Sequence, residues 1–146
     1  HDCGAAVLLL NSLPFRQPAY ETRDLTTHIG SHPDILRCLL VRREMLKKCC
    51  LAVKQAIKTC KSPILEILVF CKSGRRRSVA LAESLCGALA ADSRVICIPE
   101  LHHLCSALWP RTKWCGLCSD CRPDGSASMA ASSEVVEWIL SEGYAR

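Results

Sequence analysis

The chain has 146 residues, and its 19 lysine and arginine side chains against 14 aspartate and glutamate side chains give a formal net charge of +5. This length suffices for one domain with a core of its own, and a hydrophobic content of 49% excludes an intrinsically disordered chain. The longest uninterrupted apolar run covers only residues 5–10, whereas a bilayer span needs about 20 residues, so no membrane segment is predicted.

The first half of the chain predicts one strand and one long helix. Residues 5–10 are short, apolar and followed by polar Asn11 and Ser12, which is typical of a buried strand. After an irregular, proline-containing stretch, Asp34 can cap a helix that runs to Cys60, because apolar residues recur there at steps of three, four or seven. This apolar stripe consists of Ile35, Leu39, Leu46, Cys49, Val53, Ile57 and Cys60.

The second half of the chain alternates strands and helices around a basic loop. Residues 64–70 are the strongest predicted strand, and they lead through residues 71–78 into a predicted helix at 79–91. The further predicted elements are a third strand at 94–98, a short helix at 100–108, a linker at 122–131 and a last helix at 133–141 capped by Ser133.

This order of elements predicts the fold class and the domain organisation. Strands that alternate with helices favour an α/β fold with a mostly parallel sheet flanked by helices, here with a Cys-rich C-terminal extension. We expect residues 1–110 to form the α/β domain, and residues 111–146 to be packed on it or appended to it. Because the chain begins with His1 rather than Met, we also expect it to be one module of a longer, multidomain protein. The oligomeric state is left open, a homo-oligomer included.

Twelve cysteines in a chain of this length can indicate either a disulfide framework or a thiol-rich protein of a reducing compartment. Half of them sit inside Leu/Val/Ala-rich segments, where a thiol serves as a small buried apolar group. These are Cys38, Cys49, Cys50, Cys60, Cys86 and Cys97. This placement favours free thiols and an intracellular, cytoplasmic location.

The segment of residues 71–78, Cys-Lys-Ser-Gly-Arg-Arg-Arg-Ser, joins the strongest strand to a helix. Backbone N–H groups at such a junction point out of the positive end of the helix dipole, and Gly74 permits a concave loop. Arg77 can clamp a phosphate with two parallel hydrogen bonds, and Ser78 can cap the helix or bond the Cys71 sulfur. The loop therefore predicts a bound anion, the alternative being a tight turn with solvated arginines.

The spacing Cys-x-x-Gly-x-x-Arg-Ser resembles the loop of the cysteine-dependent phosphatases. This resemblance implies a nucleophilic Cys71, a phosphate clamp at Arg77 and a serine that helps the thiolate to leave. The sequence departs from that family in having Phe70 where a histidine usually precedes the cysteine. The general acid would come from another loop, with Asp24 or Asp34 as candidates.

A longer stretch resembles the C-terminal domain of the RNase adapter protein RapZ. That family has Gly-Cys-Thr-Gly-Gly-x-His-Arg-Ser-Val after a strand and Ala-Glu on the next helix, which is similar to residues 69–83, and residues 20–25 are similar to its Phe-Asp-x-Arg-x-Leu segment. Ser73 and Arg76 replace a glycine and a histidine of the family pattern, and the proline-rich stretch that follows its Asp-x-Arg is missing.

The RapZ resemblance implies a binding module for RNA or a phosphorylated metabolite, and we rank this function above phosphatase activity. The helix that follows the loop matches the RapZ pattern better than the phosphatase pattern. The ligand-binding residues implied by the loop and by the resemblance are Glu21, Arg23, Cys71, Ser73, Gly74, Arg75, Arg76, Arg77 and Ser78.

Cys115, Cys118 and Cys121 place three thiols within seven residues. A Cys-x-x-Cys pair can direct both sulfurs at one metal, and tetrahedral zinc would need a fourth ligand, for which Cys105 is the first candidate, ahead of His103 and His102. With only protein ligands such a zinc would be structural. The alternatives are an iron–sulfur site, which lacks its fourth nearby cysteine, and a loop of free thiols.

Two further features carry weaker predictions. A basic stripe along the long helix could follow a nucleic-acid backbone or be plain solvated surface, and the aromatic content of 5% offers little surface for base stacking. His28 and His32 could approach the anion, but we expect ordinary exposed histidines. The stripe consists of Arg43, Lys47, Lys54, Lys58 and Lys61.

Overall fold

The computed structural model describes residues 6–15, 23–71, 75–95 and 97–144. Two parallel strands, β1 (Ala6–Asn11) and β2 (Leu65–Phe70), form a sheet in which Leu8 lies opposite Ile67. Successive side chains alternate between a face that packs on the core, with Leu10 buried, and a face open to solvent, with Leu9 exposed. The sheet, with helices packed on it, confirms the predicted mixed α/β class.

The described residues form five α-helices beside this sheet, and four of them contribute buried side chains to the core that it shares. Leu36, Leu81 and Val135 come from three different helices and are all fully buried in one apolar cluster. The helices are α1 (Arg23–Thr26), α2 (Pro33–Val41), α3 (Arg43–Thr59), α4 (Arg77–Ala91) and α5 (Ser126–Trp138), with short 3₁₀ turns at Leu13–Phe15 and Ser106–Arg111 and a π turn at Ile139–Gly143.

The predicted helix from Asp34 to Cys60 is instead two helices. Arg42 leaves helical geometry with φ −108° and ψ 55°, which ends α2 and starts α3. The cap of α2 is also different from the prediction: the ring Nδ1 of His32 accepts the Asp34 backbone N–H at 3.1 Å, and Pro33 occupies the first turn. The apolar stripe nevertheless faces the core, because Leu39 and Leu46 lie seven residues apart on either side of the break.

The third strand predicted at 94–98 is wrong for the residues described there. The Asp92 carboxylate ends α4 by accepting both the backbone N–H and the guanidinium of Arg94 at 3.0 and 2.9 Å, which turns the chain. Ile98 is 92% exposed, so this segment has a strand's composition without a sheet to bury it. Cys97 is exposed for the same reason, whereas Cys49 and Cys50 are buried as expected.

The C-terminal region is more helical than predicted and shares the main core. The helix predicted at 133–141 starts at Ser126, after Gly125, so Ser133 is not its cap and residues 126–131 of the predicted linker are helical. Ala131, Val135 and Ile139 recur every fourth residue and are fully buried in the same cluster as α2 and α4. The helix predicted at 100–108 is a 3₁₀ turn displaced to Ser106–Arg111.

Across the described ranges, every helix is too short or too polar to traverse a bilayer.

Candidate functional site

Four potential metal-ligating side chains meet beside the start of α4. His28, Cys115, Cys118 and Cys121, hereafter the metal cluster, place their ligand atoms within 4.8 Å of one another. The His28 Nδ1 lies 3.2 Å from the Cys121 sulfur and 3.4 Å from the Cys118 sulfur, and the Cys115 and Cys121 sulfurs are 3.6 Å apart. Cys121 is fully buried, and the other three side chains are half-buried.

The backbone holds the three cysteines in a tight turn. Gly116 and Leu117 have φ values of 77° and 64°, both in the left-handed region, and they fold the chain back so that Cys115 and Cys118 converge. The Cys121 N–H then donates to the Cys118 carbonyl at 3.0 Å and brings the third sulfur to the same place. Left-handed backbone at a leucine costs free energy, and such strain concentrates at ligand sites.

His28 reaches the cysteines because residues 27–31, hereafter the bridging segment, lie along them. The Cys115 N–H donates to the Thr27 carbonyl at 2.8 Å, and the Ser31 hydroxyl donates to the Cys121 carbonyl. A second, smaller apolar cluster packs around this contact, formed by Ile29, Val79, Trp109 and Cys121 with Trp114 against it. The cysteine turn and the bridging segment therefore form one packed unit.

The surroundings of Cys115 and Cys121 shift the pKa values of their thiols in opposite directions. Burial would raise the pKa of Cys115, but hydrogen bonds from the backbone N–H groups of Cys118 and Leu117 and the neighbouring thiols outweigh it, so that pKa is lowered. Burial raises the pKa of the fully enclosed Cys121. N–H groups aimed at a sulfur stabilise the thiolate, which is the form that binds a metal.

The donor set and its spacing fit zinc. One imidazole nitrogen and three sulfurs form a common structural zinc set. Two sulfurs about 2.3 Å from a shared tetrahedral zinc lie about 3.8 Å apart, close to the 3.6 Å between the Cys115 and Cys121 sulfurs. All four places would be filled by protein atoms, so the arrangement suits a structural metal and leaves no open catalytic position.

The three cysteines predicted from spacing come together, but the predicted fourth ligand does not join them. Cys105 is exposed outside the metal cluster. His103 lies with its Nε2 3.2 Å from the Glu83 carboxylate, and His102 lies 3.5 Å from that of Glu100. The fourth member is His28, which is 87 residues before Cys115 and carries no local signal of this role.

His28 and His32 are not the exposed histidines that we expected. His32 is 7% exposed, and its ring centre lies 4.4 Å from that of His28. Burial, followed by the neighbouring His28, lowers the pKa of His32, although Asp34 and Asp120 act in the opposite direction. A neutral His32 thus caps α2 and packs directly behind the metal cluster.

The anion loop, residues 71–78, follows β2 and runs into α4. The Cys71 thiol donates to the Ser78 hydroxyl at 3.1 Å, which confirms the predicted pairing of these side chains. Ser78 is buried in the first turn of α4, and Arg76 and Arg77 are half-buried beside it. The predicted ligand residues Glu21, Ser73 and Gly74 lie outside the described residues, and Arg23 begins α1.

Arg75 has a structural position rather than the free position expected of a ligand-binding arginine. Its guanidinium donates to the Thr26 carbonyl and to the Thr112 hydroxyl. Burial, with the nearby charge of Arg76, lowers the pKa of Arg75. Arg75 therefore ties the end of the anion loop to the segments that carry the metal cluster.

The basic stripe of α3 is partly used within the fold. Lys54 donates from its ammonium group to the Tyr144 carbonyl at 3.1 Å, and Lys47 is half-buried. Arg43 and Lys58 are exposed. The stripe is therefore a less continuous basic surface than its sequence spacing indicates.

No family model, curated protein or solved structure matches the chain.

Proposed function

We propose that the chain is a phosphate-binding module whose anion loop takes a phosphorylated metabolite or RNA. The Cys71–Ser78 hydrogen bond carries this proposal, because it draws the end of β2 onto the first turn of α4. At such a junction, helix N–H groups and nearby arginines favour an anion. The sequence resemblance to the RapZ C-terminal domain supports the same function.

The neighbouring strand end supports a ligand crevice at this edge of the sheet. Ser12 follows β1, and both its backbone N–H and its hydroxyl donate to the Phe70 carbonyl, at 2.9 and 2.6 Å. The carboxyl ends of both parallel strands therefore meet next to Cys71. Ligands in open α/β sheets bind at the carboxyl ends of strands.

The test is a titration with inorganic phosphate, a sugar phosphate and a short single-stranded RNA. Arg77→Ala should weaken binding by the ~1.5–3 kcal/mol of a charge-assisted contact, or about 10- to 150-fold. Arg42→Ala removes the same charge from an exposed position between α2 and α3, outside the basic stripe, and should change the affinity little. Equal affinities of the two variants for every bound probe would reject the loop as the site, and no binding of any probe would reject the function.

Cysteine-dependent phosphatase activity is the second candidate function, because the Cys71–Ser78 contact also suits a nucleophilic thiol. The Cys71 thiolate would attack phosphorus and form a thiophosphate as the P–O bond breaks. The leaving oxygen would take a proton from a carboxylic acid, for which Asp34 is exposed in the first turn of α2, and water would then hydrolyse the thiophosphate to free phosphate.

Aryl-phosphate hydrolysis under reducing conditions separates the two functions. If the chain is a phosphatase, Cys71→Ser abolishes turnover and leaves phosphate affinity nearly unchanged. Cys97→Ser is the matched control, because Cys97 is an exposed thiol outside the anion loop. A chain that binds phosphate without measurable turnover is a binding module.

We further propose that the metal cluster holds a structural zinc, with His28 in place of Cys105. When bound, this zinc would cross-link the cysteine turn to the bridging segment. None of the described cysteines forms a disulfide, which supports a reducing, intracellular compartment in which thiols remain available to a metal.

Metal analysis of the purified chain tests the zinc proposal. We expect one zinc per chain, retained by Cys105→Ala and lost or weakened at least about 10-fold by His28→Ala. The opposite pattern, with zinc lost in Cys105→Ala and retained in His28→Ala, would restore the ligand set predicted from spacing. Metal-free protein in both the unmodified chain and Cys105→Ala would reject the site.

A further inference from the structure

The metal cluster and the anion loop share the bridging segment. The bridging segment contacts the cysteine turn through Thr27, His28 and Ser31. Between these contacts, Gly30 lies against the anion loop, and its N–H donates to the Arg75 carbonyl at 2.9 Å. One short irregular stretch therefore connects two sites whose cysteines are far apart in the sequence.

The contact at Gly30 tolerates no side chain. A Cβ atom at Gly30 would lie 2.2 Å from the Arg76 carbonyl oxygen and 2.3 Å from the Ala80 backbone nitrogen. Both atoms belong to the backbone where α4 starts and cannot rotate away, so the bridging segment fits flush against the end of the anion loop. A shift of the segment would open or distort this contact.

The side chain of Arg75 makes the same connection a second time. Its guanidinium donates to the Thr26 carbonyl, immediately before the bridging segment, and to the Thr112 hydroxyl, shortly before the cysteine turn. Arg75 is thus held through its carbonyl and through its guanidinium by the segments that the metal cluster joins. These contacts set the position of the chain just before Arg77.

We propose that metal binding at His28, Cys115, Cys118 and Cys121 orders residues 75–80, where the anion loop ends and α4 starts, so that metal and phosphate bind cooperatively. The effect on phosphate rests on the proposed function, whereas the ordering of residues 75–80 does not. A metal stabilises the arrangement in which the bridging segment lies on the cysteine turn, and that arrangement places Gly30 on Arg75. By linkage, whatever metal does to phosphate affinity, phosphate does equally to metal affinity.

Amide hydrogen exchange of the zinc-loaded and metal-free chain tests the ordering directly. Zinc removal should speed exchange at Gly30 and at Ala80 by at least about tenfold, because the Gly30 N–H bonds across the shared contact and Gly30 covers the first bond of α4, from the Ala80 N–H to the Arg76 carbonyl. Amides in the middle of α3, such as that of Val53, should change much less. Unchanged exchange at Gly30 and Ala80, in a chain shown to have lost its zinc, would overturn the proposal.

Two glycine-to-alanine substitutions keep the test decisive if the metal-free chain unfolds as a whole. Gly30→Ala breaks the contact while leaving all four metal ligands in place, and it should speed exchange at Ala80 in the zinc-loaded protein. Gly87→Ala is the control, because its Cβ would meet only the Val136 side chain, at 3.1 Å. Equal protection of Ala80 in both zinc-loaded variants would overturn the proposal.

Phosphate titration separates this inference from the proposed function. We expect inorganic phosphate to bind the zinc-loaded chain at least about fivefold more tightly than the folded metal-free chain. Equal affinities would overturn the cooperativity while the binding function stands. If phosphate binds neither form, the binding function and the cooperativity both fail, and hydrogen exchange still decides whether metal orders residues 75–80.

Discussion

The strained backbone of Leu117 gives the most direct test of how the cysteine turn is built. Its φ of 64° lies in the left-handed region, where a residue with a Cβ pays about 1–2 kcal/mol. Glycine adopts this conformation without that cost. Because the Leu117 side chain is only 36% exposed, Leu117→Gly also gives up buried surface, and Leu117→Ala, which gives up most of the same surface but keeps the Cβ, is its reference.

The same step from alanine to glycine at an unstrained position isolates the magnitude. Such a step frees the unfolded chain and lowers stability by about 0.4–1 kcal/mol. Leu104 does not have a positive φ, so the step from Leu104→Ala to Leu104→Gly carries this cost without any relief. The step from alanine to glycine should therefore be more favourable at position 117 than at position 104 by about 1–2 kcal/mol, which is the strain itself.

Urea unfolding of the four variants, loaded with zinc, measures this difference. The slopes of the unfolding curves must agree for the free energies to be compared. Equal alanine-to-glycine steps at the two positions would refute the reasoning, because they would mean that the left-handed backbone at Leu117 stores no measurable strain.

Three further predictions test the core, the acid stability and the sheet. Ile139→Ala should lower the free energy of unfolding by about 2–5 kcal/mol in a single urea transition, because Ile139 is fully buried in the main core. Two separate transitions would contradict a shared core. Hydrogen bonds from Arg94 hold the pKa of Asp92 below 3.8 in the folded chain, so this stabilisation is present above pH 3.8 and is lost as the pH falls through the folded value. Below pH 3.8, the thermal midpoint of Asp92→Asn should therefore fall less steeply with falling pH than that of the unmodified chain. Parallel curves would mean that the Asp92 carboxylate does not contribute to the loss of stability in acid. Leu9→Lys on the open face of the sheet should change stability by no more than about 0.5 kcal/mol. Leu10→Lys buries a charge and should lower stability several times more. Similar losses for the two variants would contradict the assignment of Leu9 to the open face and Leu10 to the buried face.

The elements predictable from sequence are those whose burial follows their own periodicity. β2 and α4 lie within one or two residues of their predicted limits. Each carries a continuous apolar pattern, and the two elements are neighbours in the sequence. The break between α2 and α3 was not predictable from the stripe, since Leu39 and Leu46 keep a helical spacing across Arg42. The apolar periodicity of a segment indicates which of its sides faces the core. It therefore continues through a break in the helix when the same side faces the core before and after the break.

The errors lie where a segment's burial depends on a distant partner. Residues 94–98 are apolar enough for a strand, but Ile98 is left in solvent. The start of α5 has the opposite property, because small residues such as Ser128 and Ala131 look like a linker yet are buried against other helices. Small side chains suit both a flexible segment and a closely packed helix, so composition alone cannot distinguish them.

The candidate sites divide in the same way. The three cysteines of the metal cluster and the Cys71–Ser78 pair are close in sequence, and their spacing was sufficient to predict that they meet. His28 belongs to the cluster only because the bridging segment lies along the cysteine turn, a tertiary contact with no counterpart in local spacing. The structural position of Arg75 was hidden for the same reason, since both acceptors of its guanidinium come from other segments.

Because the fourth member of the metal cluster is His28 and not Cys105, a bound metal would cross-link different segments of the chain. Cys105 lies 10 residues before Cys115, so a metal bound to both would close a loop within the C-terminal extension alone. His28 lies 87 residues before Cys115, and a cross-link there spans α2, α3, β2 and α4. Since the entropy of loop closure grows with the logarithm of loop length, the longer loop restricts the unfolded chain by about 2 kcal/mol more. A metal in this position would stabilise the contact of the extension with the α/β domain, and through Gly30 it would act on the start of α4.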